Sequence, residues 1–321
     1  MNNILVVGGA GYIGSHITYE LCDRGHNVRV LDDLSSGFID NIDDRADFIN
    51  GSFSDLKVIR SALKNIDCVI HLASLKAASD SMDNPIEYSN RNIIDSISLI
   101  NNCVINNIKN FIFSSSAAVY GNPDYLPIDE KHPLIPINYY GYTKLCIENQ
   151  LLWYNKLKGL NICCLRYFNA AGYDINGRVV IPESKVANLL PIIMEAALGK
   201  RKIVEIYGKN YNTKDGTCNR DYIHVNDLAK AHIKAVDLLN SQNRIILNLS
   251  SGQYYSVLDI IKMAEKITNK KIPYQFVSRR KGDPPELYSI SNNAKKILNW
   301  SPEYSDLNTI LKTMWEVYKK L

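Results

Sequence analysis

Short unbroken apolar runs alternate with longer stretches of helical period through the first half of the chain. Ile4-Leu5-Val6-Val7 has no polar break, as a strand buried on both faces requires. Similar runs predict strands at 27–31, 46–49, 67–72, 110–114 and 161–167. Apolar positions spaced three and four apart predict helices at 15–24, 55–63, 85–106 and about 138–158. Strands alternating with helices build an α/β fold with a doubly wound parallel sheet, whose ligands lie beyond the strand C-termini. After residue 169 the alternation loosens. Helical patterns fall at 188–198, 225–239, 257–267, 293–298 and 307–319, with short strands at 204–207, 245–249 and 274–277. Asn226 and Ser256 stand where the N-caps of two of these helices are expected. No linker, repeat or low-complexity stretch separates the halves. Residues 1–178, with about 225–250 returning to them, therefore form one domain, and 179–321 a smaller α/β domain packed onto it.

Length and charge narrow the picture. The 321 residues suffice for a substantial core, and a formal net charge of +4 is small for that size. Nucleic-acid binding calls for clustered Lys and Arg, and the one basic cluster, Arg279-Arg280-Lys281, is short and better suits an anionic small molecule. The seven cysteines are scattered, odd in number and without metal-ligand spacing, as expected of free thiols in a reducing compartment. No leader pattern or membrane-length apolar run is present, so a cytoplasmic protein is expected. His71, His132 and His224 have no partner at metal spacing and read as structural or surface residues, and Tyr120 reads as packing.

Two stretches carry chemistry. Gly8, Gly11 and Gly14 lie three apart between the first strand and the first helix, where residues without Cβ let a pyrophosphate approach the helix N-terminus. Asp32 closes the second strand eighteen residues after Gly14, the place of an acid that binds ribose hydroxyls. A carboxylate there repels a 2′-phosphate, which favours NAD over NADP. This is the sequence pattern of a Rossmann-type sheet. The second stretch is Tyr140-Gly-Tyr-Thr-Lys144, which places a phenol and an ammonium one helical turn apart. Lowering a phenol from a pKa of about 10 to about 7 requires about 4 kcal/mol in favour of the phenolate. One lysine and one cationic cofactor are the expected sources.

A glycine turn with its acid, a serine-rich strand end at Ser114-Ser115-Ser116, and Tyr140 with Lys144 together resemble the extended short-chain dehydrogenase/reductases. Four further stretches, Phe113 to Gly121, Leu165 to Asn169, Asp215 to Val225 and Arg279 to Asp283, resemble the UDP-glucose (UDP-galactose) 4-epimerase family over almost the whole chain. The resemblance implies epimerisation at C4 of a UDP-hexose through a transient 4-keto sugar, with NAD as a permanently bound cofactor. It implies Tyr140 as base, Lys144 as the nicotinamide-ribose ligand that lowers the phenol pKa, and Ser116 as a hydrogen-bond partner of the same sugar hydroxyl. Around NAD it implies Gly8, Gly11, Tyr12, Ile13, Gly14, Asp32, Asp33, Leu34, Ser35, Ser52, Phe53, Leu72, Ala73, Ser74, Lys76, Asn92 and Phe168. For the UDP-sugar it implies Asn169, Asn188, Leu189, Glu205, Tyr207, Arg220, Arg280, Asp283 and Leu287, the two arginines facing the diphosphate. It implies no metal, and a homodimer paired through the helices at 85–106 and 138–158.

Some positions depart from the family. Ser52 stands where an acid contacts adenine, Tyr142 and Thr143 replace a commoner Lys-Ser at a spot expected to tolerate change, and Leu287 replaces a tyrosine that closes the sugar pocket. Leucine leaves room for an N-acetyl group, so UDP-GlcNAc and UDP-GalNAc are further candidate substrates. A different epimerase or a uronate decarboxylase on the same scaffold is the enzyme alternative, and a non-catalytic NAD-binding regulator the alternative of another class. Dehydration needs a carboxylate that Ser116-Ala117-Ala118 does not offer.

Overall fold

The computed structural model describes residues 1–183, 186, 188–280 and 284–321. Its centre is a sheet of seven strands, all parallel. In chain order the first elements are β1 (Asn3–Val7), α1 (Tyr12–Asp23), β2 (Asn27–Asp32), β3 (Asp47–Asn50), α2 (Leu56–Ala62) and β4 (Cys68–His71). There follow α3 (Asp95–Ile105), β5 (Asn110–Ser116), α4 (Tyr139–Lys158) and β6 (Asn161–Tyr167). The strands stand in the order β11, β6, β5, β4, β1, β2, β3, where β11 is the later strand Arg244–Leu249. Ile4, Leu5 and Val6 are fully buried between layers of helices on both faces, which is why their run needs no polar alternation.

The second half adds β7 (Asn169–Ala171), α5 (Leu189–Ala197), β8 (Val204–Tyr207), β9 (Asn219–Arg220), β10 (Tyr222–His224) and α6 (Val225–Leu238). After β11 come β12 (Tyr255–Ser256), α7 (Val257–Thr268), β13 (Tyr274–Val277), β14 (Glu286–Leu287), α8 (Asn292–Leu298) and α9 (Leu307–Tyr318). The span from α6 to β11 belongs to the main sheet: β11 pairs in parallel with β6, and α6 shares the core that covers β1. Tyr173, Ile193, Met194, Val204, Ile260, Ile261, Ile310 and Leu311 make a separate core under the small sheets.

Two expectations are corrected. The stretch 85–106 is not one regular helix. A π-helical segment, Ser89–Ile94, lies between the short helix Pro85–Tyr88 and α3. The wider turn accompanies an inward Asn92, whose amide accepts from the Leu75 N–H at 2.8 Å and donates to the Leu75 carbonyl at 2.9 Å. Asn226 does not cap α6. The cap is His224, whose Nδ1 accepts the Asn226 N–H at 3.1 Å, while Asn226 itself bonds to Asp174 and Ile175. Ser256 does cap α7, in a reciprocal box with Asp259.

One buried ion pair ties α4 to the sheet. Arg166 of β6 donates from Nε to Glu148 Oε1 at 2.9 Å and from Nη2 to Oε2 at 2.6 Å, with both side chains almost wholly buried. Ser115 of β5 donates to the same carboxylate at 2.5 Å. Truncating one member strands a charge in the core, whereas replacing both with apolar groups does not. Glu148→Ala is therefore expected to lower unfolding free energy by about 3–5 kcal/mol, and Glu148→Leu with Arg166→Met to recover only the part due to the stranded guanidinium, since buried Lys144 still lacks its neighbouring carboxylate, as read from urea denaturation midpoints at neutral pH.

Candidate active site

The glycine turn joins β1 to α1. Gly8 has φ +87°, and a Cβ on Gly14 would lie 2.1 Å from the Gly8 carbonyl oxygen, so neither position admits a side chain. No side chain caps α1 and no acid stands in its first turn, so its N-terminal dipole favours an anion. At the end of β2 the Asp32 carboxylate accepts the Ala10 N–H at 3.0 Å and the Leu34 N–H at 2.9 Å. Burial raises its pKa, and those two hydrogen bonds oppose the rise. Leu34 takes φ +56°, a left-handed conformation unusual for leucine. Asp33 accepts the Ser35 N–H at 3.0 Å and pairs with Arg91 at 3.2 Å. Arg91 also donates to Ser52 Oγ at 3.4 Å. Phe53 is buried edge-on against His71.

These residues fit a dinucleotide. Residues without Cβ let the turn and α1 pack this tightly, with the uncapped first turn of α1 facing out of it, and Asp32 keeps acceptor positions beyond the two it uses.

The ends of β4 and β5 carry the second cluster. Asn138 accepts the Gly141 N–H at 2.8 Å and starts α4, so Tyr140 and Lys144 sit in its first turns. A Cβ on Gly141 would lie 2.3 Å from the Ala118 carbonyl oxygen. This close approach seats the start of α4 beside the Ser116 strand end, and the Ser116 hydroxyl acts to lower the Tyr140 phenol's pKa. Lys144 is buried and donates from Nζ to Ser74 Oγ at 3.0 Å and to the Ser114 carbonyl at 2.8 Å. Burial pushes its pKa down to about 7, and the Glu148 carboxylate works against that fall. Thr143 is wholly buried, donates to the Tyr140 carbonyl and accepts from Asn92, whereas Tyr142 is exposed. Of the two positions expected to tolerate change, only the latter is free of such ties.

Tyr140 corrects an expectation. Burial raises its pKa and the Ser116 hydrogen bond lowers it, while the lysine four residues on does not lower it. Lys144 Nζ lies 5.7 Å from the tyrosine ring centre and gives its hydrogen bonds elsewhere. The chain alone keeps the proton on the phenol.

A cavity of about 550 Å³ opens among β7, α5, β8 and β9. Asn169, Asn188, Leu189, Glu205, Tyr207, Arg220 and Arg280 line it, and so do Arg201 and Lys202, which sequence reasoning missed. Arg280 stacks on the Tyr207 ring at 3.8 Å, and Tyr207 donates to Glu205 at 2.9 Å. The lining does not include Ser116, Tyr140 or Leu287. Leu287 packs with Phe168, Ala117 and Tyr120. Asp283 lies outside the described residues. Tyr12 turns its hydroxyl to the Gly172 carbonyl, so only its backbone faces the turn. Lys76 pairs with Glu183 at 2.6 Å, and both polar atoms of the Asn92 amide are taken by protein groups. Arg91 and Glu148 were also missed, though Glu148 stands one turn past Lys144 and was legible from that spacing.

Among the described residues no cluster of three or more metal-ligating side chains occurs, and no helix is long and apolar enough to cross a membrane. All seven cysteines are free. Tyr120 donates to Asn248 at 2.6 Å and is buried. His71 bonds to Ser96, His132 accepts the Asp124 N–H, and both are buried.

Comparison with known proteins adds independent findings. Residues 4–250 match the NAD dependent epimerase/dehydratase family. The chain is 41% identical over 320 residues to a UDP-glucose 4-epimerase of Halalkalibacterium halodurans, covering 99% of this chain and 96% of that one. It superposes with a TM-score of 0.96 on the crystal structure of a UDP-glucose 4-epimerase from Brucella ovis in complex with NAD, at 39% identity and covering 99% and 98% of the two chains. For a Bifidobacterium longum UDP-glucose 4-epimerase in complex with NAD+ and UDP the TM-score is 0.93, at 35% identity and the same coverage. A valine at position 14 would drive its side chain into the Gly8 carbonyl. Gly14→Val is expected to keep the wild-type far-UV spectrum and to hold about a tenth or less of the wild-type NAD, as assayed in acid extracts of purified protein.

Proposed function

The chain belongs to the NAD dependent epimerase/dehydratase family, and from that premise we propose that it interconverts UDP-glucose and UDP-galactose by inverting C4 through a transient 4-keto sugar. NAD is the cofactor. One observation carries this reading: Lys144 of α4, buried and bonded to Ser74 and the Ser114 carbonyl, stands with Tyr140 against the ends of β4 and β5, at the same sheet edge as the glycine turn.

Bound NAD supplies the acceptor for the C4 hydride and the donor that returns it. Gly8, Gly11 and Gly14 with the first turn of α1 receive its pyrophosphate, and Asp32 its adenosine ribose. Lys144 stands ready to donate to the nicotinamide ribose. Tyr140 takes the proton of the sugar 4-hydroxyl as C4 is oxidised and gives it back on reduction. Ser116, whose hydroxyl acts on the phenol, orients the sugar 4-hydroxyl and passes the proton. Arg220 and Arg280 hold the diphosphate, with Asn169, Asn188, Leu189, Glu205 and Tyr207 around the nucleotide. Residues 1–178 with 225–250 act as the NAD domain, and the remainder as the UDP-sugar domain. Exposed Met82, Ile86, Ile94, Leu157 and Trp153 on the helices of 80–105 and on α4 support a homodimer paired through that face. Free cysteines support a reducing, cytoplasmic setting.

A specific observation widens the substrate range. Leu287 is half-buried beside Phe168 and Ala117, next to the Ser116 turn, and a leucine there leaves more room than a tyrosine. UDP-GlcNAc should therefore turn over beside UDP-glucose, and Leu287→Tyr should depress the N-acetylated substrate selectively in a coupled assay of both. Undetectable UDP-GlcNAc turnover in the wild type would refute the wider range. Tyr140→Phe is expected to lose about 10²- to 10⁴-fold in kcat while keeping its melting temperature and its NAD. Full turnover in that variant would remove Tyr140 from the chemistry.

A further inference from the structure

Asp221 is wholly buried in the link between β9 and β10. Its carboxylate accepts hydrogen bonds from the Ser251 N–H at 2.9 Å, the Ser251 hydroxyl at 2.9 Å and the Gly252 N–H at 3.2 Å. Those donors lie in the turn that carries the chain from β11, in the main sheet, to β12, in the three-stranded sheet beside the cavity. Gly252 takes φ +74° there, a conformation that glycine adopts without strain, and the turn's N–H groups point at the carboxylate.

The main chain of Asp221 is engaged as fully. Its N–H donates to the Leu287 carbonyl at 3.2 Å, and its carbonyl accepts the Asn169 side-chain amide at 2.7 Å and the Asn169 N–H at 3.3 Å. Arg220, the preceding residue, stands in register with Tyr255 on one side and Leu287 on the other. One residue thus joins the end of the main sheet, the strand of a cavity arginine, the strand of Leu287 and the β11–β12 turn. Burial pushes its carboxyl up to about 7 against the bonds from Ser251 and Gly252. A carboxylate kept there against that penalty has the three converging donors as its reason.

On the assignment of the cavity to a UDP-sugar made above, we infer that Asp221 is a positioning residue for the substrate, locking the Ser251–Gly252 turn, Asn169 and Arg220 into one register so that the guanidinium meets the diphosphate. It touches no reacting atom. Its loss moves Arg220 against Asn169 and leaves the glycine turn and Lys144 in place, because no hydrogen bond of Asp221 reaches either among the described residues.

The test uses the NAD-loaded enzyme, with UDP binding followed by calorimetry and UDP-glucose turnover by a coupled assay. Asp221→Asn is expected to raise the Kd for UDP and the KM for UDP-glucose about tenfold, the loss that one charge-assisted hydrogen-bond set predicts. Its kcat should fall by less than its KM rises, and its NAD content should stay at the wild-type level. Ser251→Ala removes one donor and is expected to raise the Kd about threefold, with no further rise when added to Asp221→Asn. A UDP affinity for Asp221→Asn within about twofold of wild type, or NAD lost in step with UDP affinity, overturns the inference. If Asp221→Asn does not fold, Ser251→Ala decides: a raised Kd at full NAD content supports it, and an unchanged Kd overturns it. A wild type that neither binds UDP nor converts UDP-glucose overturns the assignment of the cavity, and this inference with it.

Discussion

A lysine ammonium held out of water is the constraint on which the rest of this molecule depends. Lys144 gives its hydrogen bonds to Ser74 and the Ser114 carbonyl, and its burial is severe enough to bring its pKa down to about 7. A buried cation needs an anion near it, and Glu148 stands one turn further along α4. That carboxylate in turn needs Arg166, and Arg166 donates to Tyr120, which donates to Asn248. His71, packed nearby, stays neutral, its pKa pushed down to about 3 by burial first and by the lysine second. The chain of charges ties α4, β5, β6 and β11 together. It also explains why the phenol alone is not acidic. Burial acts on Tyr140 in the direction of protonation, and Lys144 is partly neutral at physiological pH in the chain by itself. On the function proposed above, a second positive charge beside the pair would move the proton and tie base strength to the oxidised cofactor.

The parallel sheet makes this possible by bringing strand ends to one edge. The turn after β1, the acid after β2, Ser74 after β4 and Ser116 at the end of β5 all emerge there. Close approach is then secured by glycine in two unlike ways. Gly14 lets α1 fold over the Gly8 carbonyl, and Gly141 lets α4 lie against the Ala118 carbonyl. The first shapes a space for a ligand. The second sets the distance between tyrosine and serine.

What was legible in the sequence was what local spacing encodes. β1, the glycine turn, Asp32 and the Tyr140–Lys144 turn all follow from periods of two or three-to-four residues and from residues without Cβ. What was not legible was decided by partners far along the chain. The π-helical segment at Ser89–Ile94 goes with Asn92 hydrogen bonding to Leu75, seventeen residues away, a contact that no helical period contains. His224 won the cap of α6 because Asn226 is held by Asp174 and Ile175. Arg91 was overlooked as a helix-face charge, yet it bridges Asp33 and Ser52. Ser52 carries no charge of its own, so the guanidinium beside it, paired with Asp33, sets the electrostatics there.

The separation between anchoring and chemistry has a consequence for how one site can serve both faces of a sugar. The cavity that holds Arg220 and Arg280 does not include Tyr140 or Ser116 in its lining. On the function proposed above, binding energy would fall on the nucleotide, remote from the reacting carbon, where it offsets the entropy of holding the sugar in place. Phe168, Leu287 and Ala117 pack together as an apolar cluster outside that cavity's lining. Fixed hydrogen bonds to every sugar hydroxyl would hold the keto intermediate in one orientation and prevent hydride return from the other face. A tightly gripped nucleotide with a loosely contacted sugar removes that barrier while keeping the intermediate from escaping. On that proposal the same looseness would leave the sugar 2-position free, so the feature that permits inversion would also admit a wider range of hexoses.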